Sequence, residues 1–164
     1  MDGEFFMSIV MSDIKKILFV CLGNICRSPS AEAVMKKVTA DRGVDLFIDS
    51  AGMIAAHAGE PADARMQTHA VKRGYHLTSI SRPVVAEDFD SFDMIIGMDD
   101  SNISDLMAKA SSREAEAKIS KMTDYCVRFN HNSVPDPYYG GSDGFELVLD
   151  LLEDACEGLI RHIS

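Results

Sequence analysis

The sequence has little cysteine for a chain of 164 residues. Its four cysteines are irregularly spaced, at Cys21, Cys26, Cys126 and Cys156. This pattern does not fit a disulfide-stapled secreted fold, so we expect reduced thiols and a cytoplasmic location. Cysteine pairs at zinc-ligand spacing and an H-E-x-x-H motif are also absent, so we predict neither a metal site nor a cofactor.

The sequence also lacks an excess of basic residues and any long apolar run. It has 16 basic and 26 acidic residues, for a formal net charge of -10. This balance offers no broad surface for nucleic acid, so any bound anion must be held by a local site. A membrane span needs about 20 consecutive apolar residues, so we predict no membrane span and expect a soluble monomer.

Residues 1–13 carry an apolar patch but neither a basic stretch nor a cleavage site of small residues, which argues against a secretory signal. We interpret them as a flexible N-terminal leader. The remainder, residues 14–164, has the usual size of a single domain.

Strand and helix patterns alternate along this domain. Apolar runs predict strands over residues 17–20, 46–50, 92–97 and 118–120. Helical spacing predicts helices over residues 29–42, 62–73 and 143–162, and another that begins at Asp99. We therefore predict an α/β fold: a single-domain, open, mainly parallel four-stranded twisted sheet with helices on both faces.

The loop after the first predicted strand, C-L-G-N-I-C-R-S, lies at the sheet edge where ligands bind in such folds. Pro29 suits the first position of the following helix, with Ser28 as its N-cap. Backbone amides of this loop can form a cradle for phosphate, and their positive potential favours a nucleophilic Cys21 thiolate. Arg27 can clamp two phosphate oxygens, and the Ser28 hydroxyl can hydrogen-bond to the sulfur.

A second cluster, D-P-Y-Y-G, begins at Asp136. An aryl phosphate needs an acid that protonates its departing phenolate, and Asp136 can supply that proton. Taken alone, the spacing of Cys21 and Arg27 fits buried structural cysteines better, and the Asp-Pro pair fits an exposed turn. The strand-loop-helix setting, together with the second cluster, favours a site of phosphate hydrolysis.

The motifs C-L-G-N-I-C-R-S-P, D-S-A-G, S-R-P, M-D and D-P-Y-Y-G resemble, in order, those of the low-molecular-weight protein tyrosine phosphatase family over about residues 14–163. The resemblance implies hydrolysis of protein phosphotyrosine and small aryl phosphates through a phosphocysteine. Cys21 is then the nucleophile, Arg27 the transition-state clamp and Asp136 the general acid and base. Ser28 is then the hydrogen-bond donor to the sulfur.

The resemblance implies further roles around the loop. Asn24 is expected in a left-handed conformation held by Ser50, and other loop residues are expected to bind phosphate: Leu22, Gly23, Ile25 and Cys26. Tyr138 and Tyr139 are expected beside the substrate ring, either as exposed aromatics or as sites that are themselves phosphorylated. Asp99 either supports the loop or caps a helix.

Two cleft features depart from the family pattern. Ala56 stands where an aromatic wall is common, so that wall is absent or supplied by Met53 or His57. Ser79 stands where some relatives have histidine, so a hydroxyl replaces that link of the loop network or the link is absent. Arg82 is either structural or an ordinary surface residue.

The resemblance also bears on redox control and on partners. Cys26 either forms a reversible disulfide with Cys21 under peroxide or packs beneath the loop. Phosphotyrosine proteins or peptides are the expected substrates, and inorganic phosphate is the expected product and inhibitor. A phosphotyrosine-binding module without turnover is an alternative, but the complete set of catalytic candidates argues against it. Arsenate reduction needs further cysteines, and none lies between Cys26 and Cys126.

Overall fold

A computed structural model describes residues 13–138 and 141–164. The leader predicted over residues 1–13 lies outside the described residues, Asp13 excepted. The described elements are β1 (Lys16–Cys21), α1 (Arg27–Arg42), β2 (Phe47–Gly52), α2 (Ala64–Val71), α3 (Asp88–Ser91), β3 (Met94–Gly97), α4 (Asp100–Lys109), α5 (Arg113–Ala117), β4 (Ile119–Lys121), a 3-10 turn (Met122–Tyr125) and α6 (Ser142–Ile163).

The four strands form one sheet in the order β2-β1-β3-β4. Every neighbouring pair is parallel, and β1 pairs with both β2 and β3. Residues Ile17 to Val20 of β1 are completely buried, as expected for a central parallel strand covered on both faces. The predicted four-stranded parallel sheet is confirmed.

Side chains of β1 alternate between two apolar clusters. Ile17 and Phe19 belong to a large cluster that includes buried residues of α1, α2 and α6. Leu18 and Val20 belong to a smaller cluster with residues of α3, α4 and α5. Helices therefore cover both faces of the sheet, as predicted. Among the described residues, no helix is long and apolar enough to cross a membrane.

Several predicted boundaries were wrong at the helix ends. α1 begins at Arg27 and has no side-chain cap, so Ser28 lies inside its first turn and is not the N-cap. α2 begins only at Ala64 because the Asp63 side chain accepts hydrogen bonds from two amides of its first turn. The helices α3 and α5 were missed because four or five residues are too few to show a helical period.

Candidate active site

The loop between β1 and α1 forms the floor of a cleft of about 210 Å³. The lining residues are Cys21, Leu22, Gly23, Ile25, Cys26, Arg27, Ile54, Ala56, His57, Asp136 and Tyr138. The structure therefore brings the candidate nucleophile, clamp and acid to one cavity, although they come from two distant segments. Tyr139, predicted beside the cleft, lies outside the described residues.

Asn24 has a strained backbone conformation, and its side chain stabilises the loop through hydrogen bonds. Its φ of 58° lies in the left-handed region, as predicted. Its side-chain amide donates to Ser28 Oγ at 2.8 Å and to Ser50 Oγ at 3.0 Å. Its Oδ1 accepts the backbone amide of Arg82 at 3.1 Å, so the Arg82 amide and not the Ser79 hydroxyl completes the network. These contacts at both ends of the amide offset the backbone strain.

The Ser28 hydroxyl lies 3.0 Å from Cys21 Sγ, and both residues are buried. Ser28 Oγ accepts a hydrogen bond from Asn24, so the Ser28 hydroxyl proton must be donated to a different acceptor. The only other partner described for it is the carbonyl of Ala51, at a longer 3.4 Å. The geometry therefore favours a hydrogen bond donated by Ser28 to the Cys21 sulfur.

Glu32 of α1 is a buried carboxylate that the sequence analysis missed. Its Oε1 accepts a hydrogen bond from Ser50 Oγ at 2.6 Å, and Ser50 in turn contacts Asn24. Lys36 pairs with the other oxygen from the next turn of the helix. An acidic residue among the apolar positions of the buried helix face was the sequence signal that could have revealed it.

Arg27 is buried and is fixed from behind by Asp99. Its Nη1 lies 2.6 Å from Asp99 Oδ2 and 3.2 Å from the carbonyl of Val134, and its Nη2 lies 3.7 Å from Asp136 Oδ2. Burial disfavours the guanidinium charge, but Cys21 and Asp99 outweigh it and raise the pKa of Arg27. The Arg27 guanidinium is therefore charged and oriented before any ligand binds.

Asp99 makes the contacts expected from both of the alternatives that the sequence analysis offered for it. Its Oδ2 holds Arg27, and its Oδ1 accepts the backbone amide of Asn102 and so caps α4. Arg82 is structural, because its guanidinium lies 3.0 Å from both Asp49 and Asp88.

Asp136 stands at the rim of the cleft, with its side chain 37% exposed. Its Oδ1 accepts the backbone amide of Tyr138 at 3.0 Å, which orients the carboxylate. The Tyr138 ring forms one wall of the cleft, and the His57 ring lies 6.0 Å from it between centroids. His57 also packs over Gly23, where any Cβ would come within 3.0 Å of the imidazole.

The second wall of the cleft is therefore built without the usual aromatic. Ala56 lines the cavity, and His57 and Ile54 supply the surface around it. The alternative prediction for Met53 was wrong, because that side chain packs against the smaller core cluster on the other face of the sheet. The contribution of Ile54 was missed because a single apolar residue in a loop carries no distinctive pattern.

Cys26 is a buried residue at the end of the loop and lines the cleft, and all four cysteines are free thiols. Burial raises the pKa of Cys26, and the negative charges of Asp63 and Cys21 raise it further. Cys26 is therefore a protonated thiol at neutral pH and is unsuited to be the primary nucleophile.

Comparison with known proteins shows what this chain is similar to. Residues 16–164 match the family described as low molecular weight phosphotyrosine protein phosphatase. A Rattus norvegicus protein of that description is 40% identical over 150 residues, 90% of this chain and 94% of the relative. A protein tyrosine phosphatase structure from Entamoeba histolytica has 51% identity and a TM-score of 0.88, covering 90% of this chain and 95% of that one. A Drosophila structure described as an arginine phosphatase has 34% identity and a TM-score of 0.83, with coverage of 90% and 95%.

Proposed function

The chain belongs to the low molecular weight phosphotyrosine protein phosphatase family, a family of phosphoric monoester hydrolases, and from this premise we propose that it hydrolyses protein phosphotyrosine and small aryl phosphates through a phosphocysteine on Cys21. The observation that supports this most directly is one cavity lined by Cys21, Arg27 and Asp136. A nucleophile, an anion clamp and a proton donor are the groups that two-step phosphoryl transfer requires.

In the first step, the Cys21 thiolate attacks phosphorus and the bond from phosphorus to the phenolic oxygen breaks. Asp136, protonated at this stage, transfers its proton to that oxygen, so tyrosine leaves as a neutral phenol. The Arg27 fork and the loop amides hold the equatorial phosphate oxygens as charge redistributes.

In the second step, the Asp136 carboxylate removes a proton from water, which attacks phosphorus and breaks the bond to Cys21. Inorganic phosphate forms, and the sulfur leaves as a thiolate. The Ser28 hydroxyl, 3.0 Å from the sulfur, stabilises the negative charge that develops there. Loss of Ser28 should therefore slow the second step more than the first.

The walls of the cleft favour an aromatic ring as the leaving group. Leu22, Ile54 and Tyr138 present mainly apolar surface around the mouth, which suits a neutral phenol ring. The similarity to an arginine phosphatase makes phosphoarginine the appropriate competing substrate. Among the described residues that line the cleft, Asp136 is the one carboxylate, so a charged guanidinium there would lose hydration without a second acidic partner. We therefore expect phosphotyrosine to be preferred.

The experiment compares purified wild type with Cys21→Ser and Asp136→Ala on phosphotyrosine peptides and phosphoarginine peptides. Cys21→Ser should abolish turnover, and Asp136→Ala should slow phosphotyrosine cleavage by about two to four orders of magnitude. Cys126→Ser is the matched control, because Cys126 does not line the cleft and its loss should leave turnover unchanged. Wild-type protein that is inactive on phosphotyrosine, or more active on phosphoarginine, contradicts the proposal.

The same proposal covers the partners of the site. Phosphotyrosine proteins or peptides are the substrates, and inorganic phosphate is both product and competitive inhibitor because it fills the same cradle. A catalytic thiolate requires a reducing compartment, which supports a cytoplasmic location. A monomer should be sufficient for activity, since Cys21, Arg27 and Asp136 of one chain line the same cleft.

A further inference from the structure

We propose that Arg65 is a positioning residue that fixes the segment carrying Asp136 and Tyr138 above the phosphate loop. This inference rests on the proposed function, because it concerns the acid of that reaction. Arg65 does not line the cleft, and half of its side chain is exposed. It therefore acts through its neighbours and does not touch the substrate.

Arg65 lies between two aromatic rings. Its guanidinium carbon is 5.4 Å from the centroid of the Tyr138 ring and 5.1 Å from that of Phe145. Its Nη2 also donates to the backbone carbonyl of Tyr138 at 2.9 Å. A guanidinium that contacts two rings and also donates to a backbone carbonyl is held by three separate groups, which restrict its position and orientation.

The residue held by Arg65 is the one that orients the acid. The amide of Tyr138 donates to Asp136 Oδ1 at 3.0 Å, while the carbonyl of Tyr138 accepts the bond from Arg65. Displacement of Tyr138 would therefore move both the substrate wall and the Asp136 carboxylate. Proton transfer needs the donor within hydrogen-bond reach of the leaving oxygen, so a shift of about 1 Å is costly.

Asp63 connects Arg65 to the phosphate loop. The backbone amide of Asp63 donates to the carbonyl of Ile25 at 2.8 Å, and its carboxylate pairs with Arg65 through two side-chain hydrogen bonds. Burial disfavours the charge of Asp63, but Arg65 and the α2 amides outweigh it and lower the pKa of this carboxylate. A continuous set of contacts thus runs from the loop, through Asp63 and Arg65, to Tyr138.

The pair of Asp63 and Arg65 contributes little to stability, because the Arg65 side chain is half exposed and water screens its charge. What distinguishes this ion pair is that it connects two parts of the active site. One partner is bonded to the floor of the cleft, and the other is bonded to the segment that carries the acid. The loss of Arg65 should therefore change proton transfer more than folding.

The test measures kcat/KM for two aryl phosphates that differ in their need for the acid. Phenyl phosphate has a poor leaving group that needs protonation, whereas 2,4-dinitrophenyl phosphate has a phenolate that leaves without it. Arg65→Ala should lower kcat/KM by about 10- to 100-fold for phenyl phosphate and by less than about threefold for the dinitrophenyl ester. In an Asp136→Ala background, Arg65→Ala should have almost no further effect, because both changes remove the same function.

Two further variants keep the test independent of folding. Asp63→Asn retains the N-cap of α2 but loses the charge facing Arg65, so it should produce the same substrate-dependent loss at smaller amplitude. Arg73→Ala is the matched control, because Arg73 pairs with Glu146, Asp150 and Glu153 of α6 and contacts neither the loop nor Tyr138 in the described structure. It should leave the ratio of the two kcat/KM values unchanged.

Equal losses on both substrates, or full additivity of Arg65→Ala with Asp136→Ala, would overturn the inference. The inference would also be overturned if Asp63→Asn and Arg65→Ala both fold and each has the wild-type ratio of kcat/KM for the two esters. These outcomes all require an active wild type. A wild type that cleaves neither ester contradicts the proposed function instead, so the two failures are distinguishable.

Discussion

Asp99 Oδ2 lies 2.6 Å from Arg27 Nη1, while the other oxygen of the same carboxylate caps α4 through the amide of Asn102. One side chain thus connects the anion clamp to the start of a helix on the far side of the site. Because the Arg27 side chain is only 3% exposed, it cannot adopt many other orientations once this pair has formed. The two functions of Asp99 can be separated by mutation.

Asp99→Asn should retain the helix cap and weaken the clamp. Asparagine is as good an N-cap as aspartate, so the change of cap should cost less than about 0.5 kcal/mol. Loss of the carboxylate that pairs with the buried Arg27 should lower the free energy of unfolding further, by about 1.5–3 kcal/mol. Loss of the charge that fixes Arg27 should raise the inhibition constant for inorganic phosphate about tenfold, since a charge-assisted bond is worth about 1.5–3 kcal/mol. Urea unfolding and competition kinetics measure the two effects.

Ser112→Ala is the control for Asp99→Asn. Ser112 caps α5 by accepting the amide of Ala115 and does not line the cleft. Its loss should cost about 1 kcal/mol of stability and leave phosphate inhibition unchanged. Unchanged phosphate inhibition in Asp99→Asn would show that the pair with Arg27 does not support anion binding.

Mild peroxide should join Cys21 to Cys26 in a disulfide. Oxidation of the Cys21 thiolate gives a sulfenic acid, and the Cys26 thiol then displaces its oxygen as water. Because the pKa of Cys26 is raised, its thiolate is scarce and the condensation should be slower than at an ordinary thiol. Non-reducing peptide mapping, with recovery of activity after dithiothreitol, measures the bridge.

Cys26→Ser and Cys156→Ser form the matched pair for this redox test. Cys26→Ser should lose activity irreversibly as Cys21 oxidises to the sulfinic acid. Cys156 lies in α6, outside the cleft, so Cys156→Ser should recover like wild type. Equal recovery of both variants without a detectable Cys21–Cys26 peptide would leave Cys26 with a packing role alone.

Protonation of the buried Asp154 carboxylate should make the protein less stable in acid. This buried carboxylate accepts the backbone amides of Val127, Arg128 and Phe129. Burial raises the pKa of Asp154, but these bonds outweigh it and the net shift is downward. A lowered folded pKa means that the stabilisation is complete above the ordinary value of about 4 and is lost as the pH falls through the folded value.

Urea unfolding of wild type and Asp154→Asn at a series of pH values tests this expectation. The variant should be less stable by about 1.5–3 kcal/mol near neutral pH, because a neutral amide oxygen accepts the three backbone amides less strongly than a carboxylate does. The difference between the two proteins should shrink as the pH falls below the ordinary range of a carboxylate and through the lowered pKa of Asp154. A difference that stays constant with pH would show that Asp154 contributes through shape and not through charge.

The sheet and the main site residues could be predicted because their signals are local. The apolar run before Cys21 and the loop that follows it are contiguous, and the register of a parallel sheet then places that loop at the ligand-binding edge. The left-handed conformation of Asn24 follows from residue type and position in the same way. Asp136 could be predicted only from the distant second motif, because the reaction needs a general acid and that motif contains a carboxyl group.

Arg65 and Glu32 could not be predicted, because their partners are defined only by tertiary structure. Arg65 contacts Tyr138 across 73 positions in sequence, and nothing near Arg65 distinguishes it from a surface arginine. Glu32 contacts Ser50 from another element. Ser28 was predicted both to cap the helix and to hydrogen-bond to the Cys21 sulfur; the cap is absent, and the hydroxyl lies 3.0 Å from the sulfur.

Ala56→Trp should restore an aromatic wall opposite Tyr138. Ala56 lines the cleft, and its small side chain leaves space that an indole could cover. Stacking on the substrate ring is worth about 0.5–1.5 kcal/mol, so KM for an aryl phosphate should fall by about 2- to 10-fold. The reacting groups Cys21, Arg27 and Asp136 are unchanged, so kcat should remain within about twofold of wild type.

The control for this prediction is Ala55→Trp. Ala55 is the exposed neighbour of Ala56 but does not line the cleft, so a tryptophan there tests the effect of a bulky residue in the same loop. KM should fall for Ala56→Trp and not for Ala55→Trp, and the gain should be absent for an alkyl phosphate that has no ring to stack on. If Ala56→Trp leaves KM for aryl phosphates unchanged, His57 and Ile54 already enclose the ring, and the missing aromatic does not limit substrate binding.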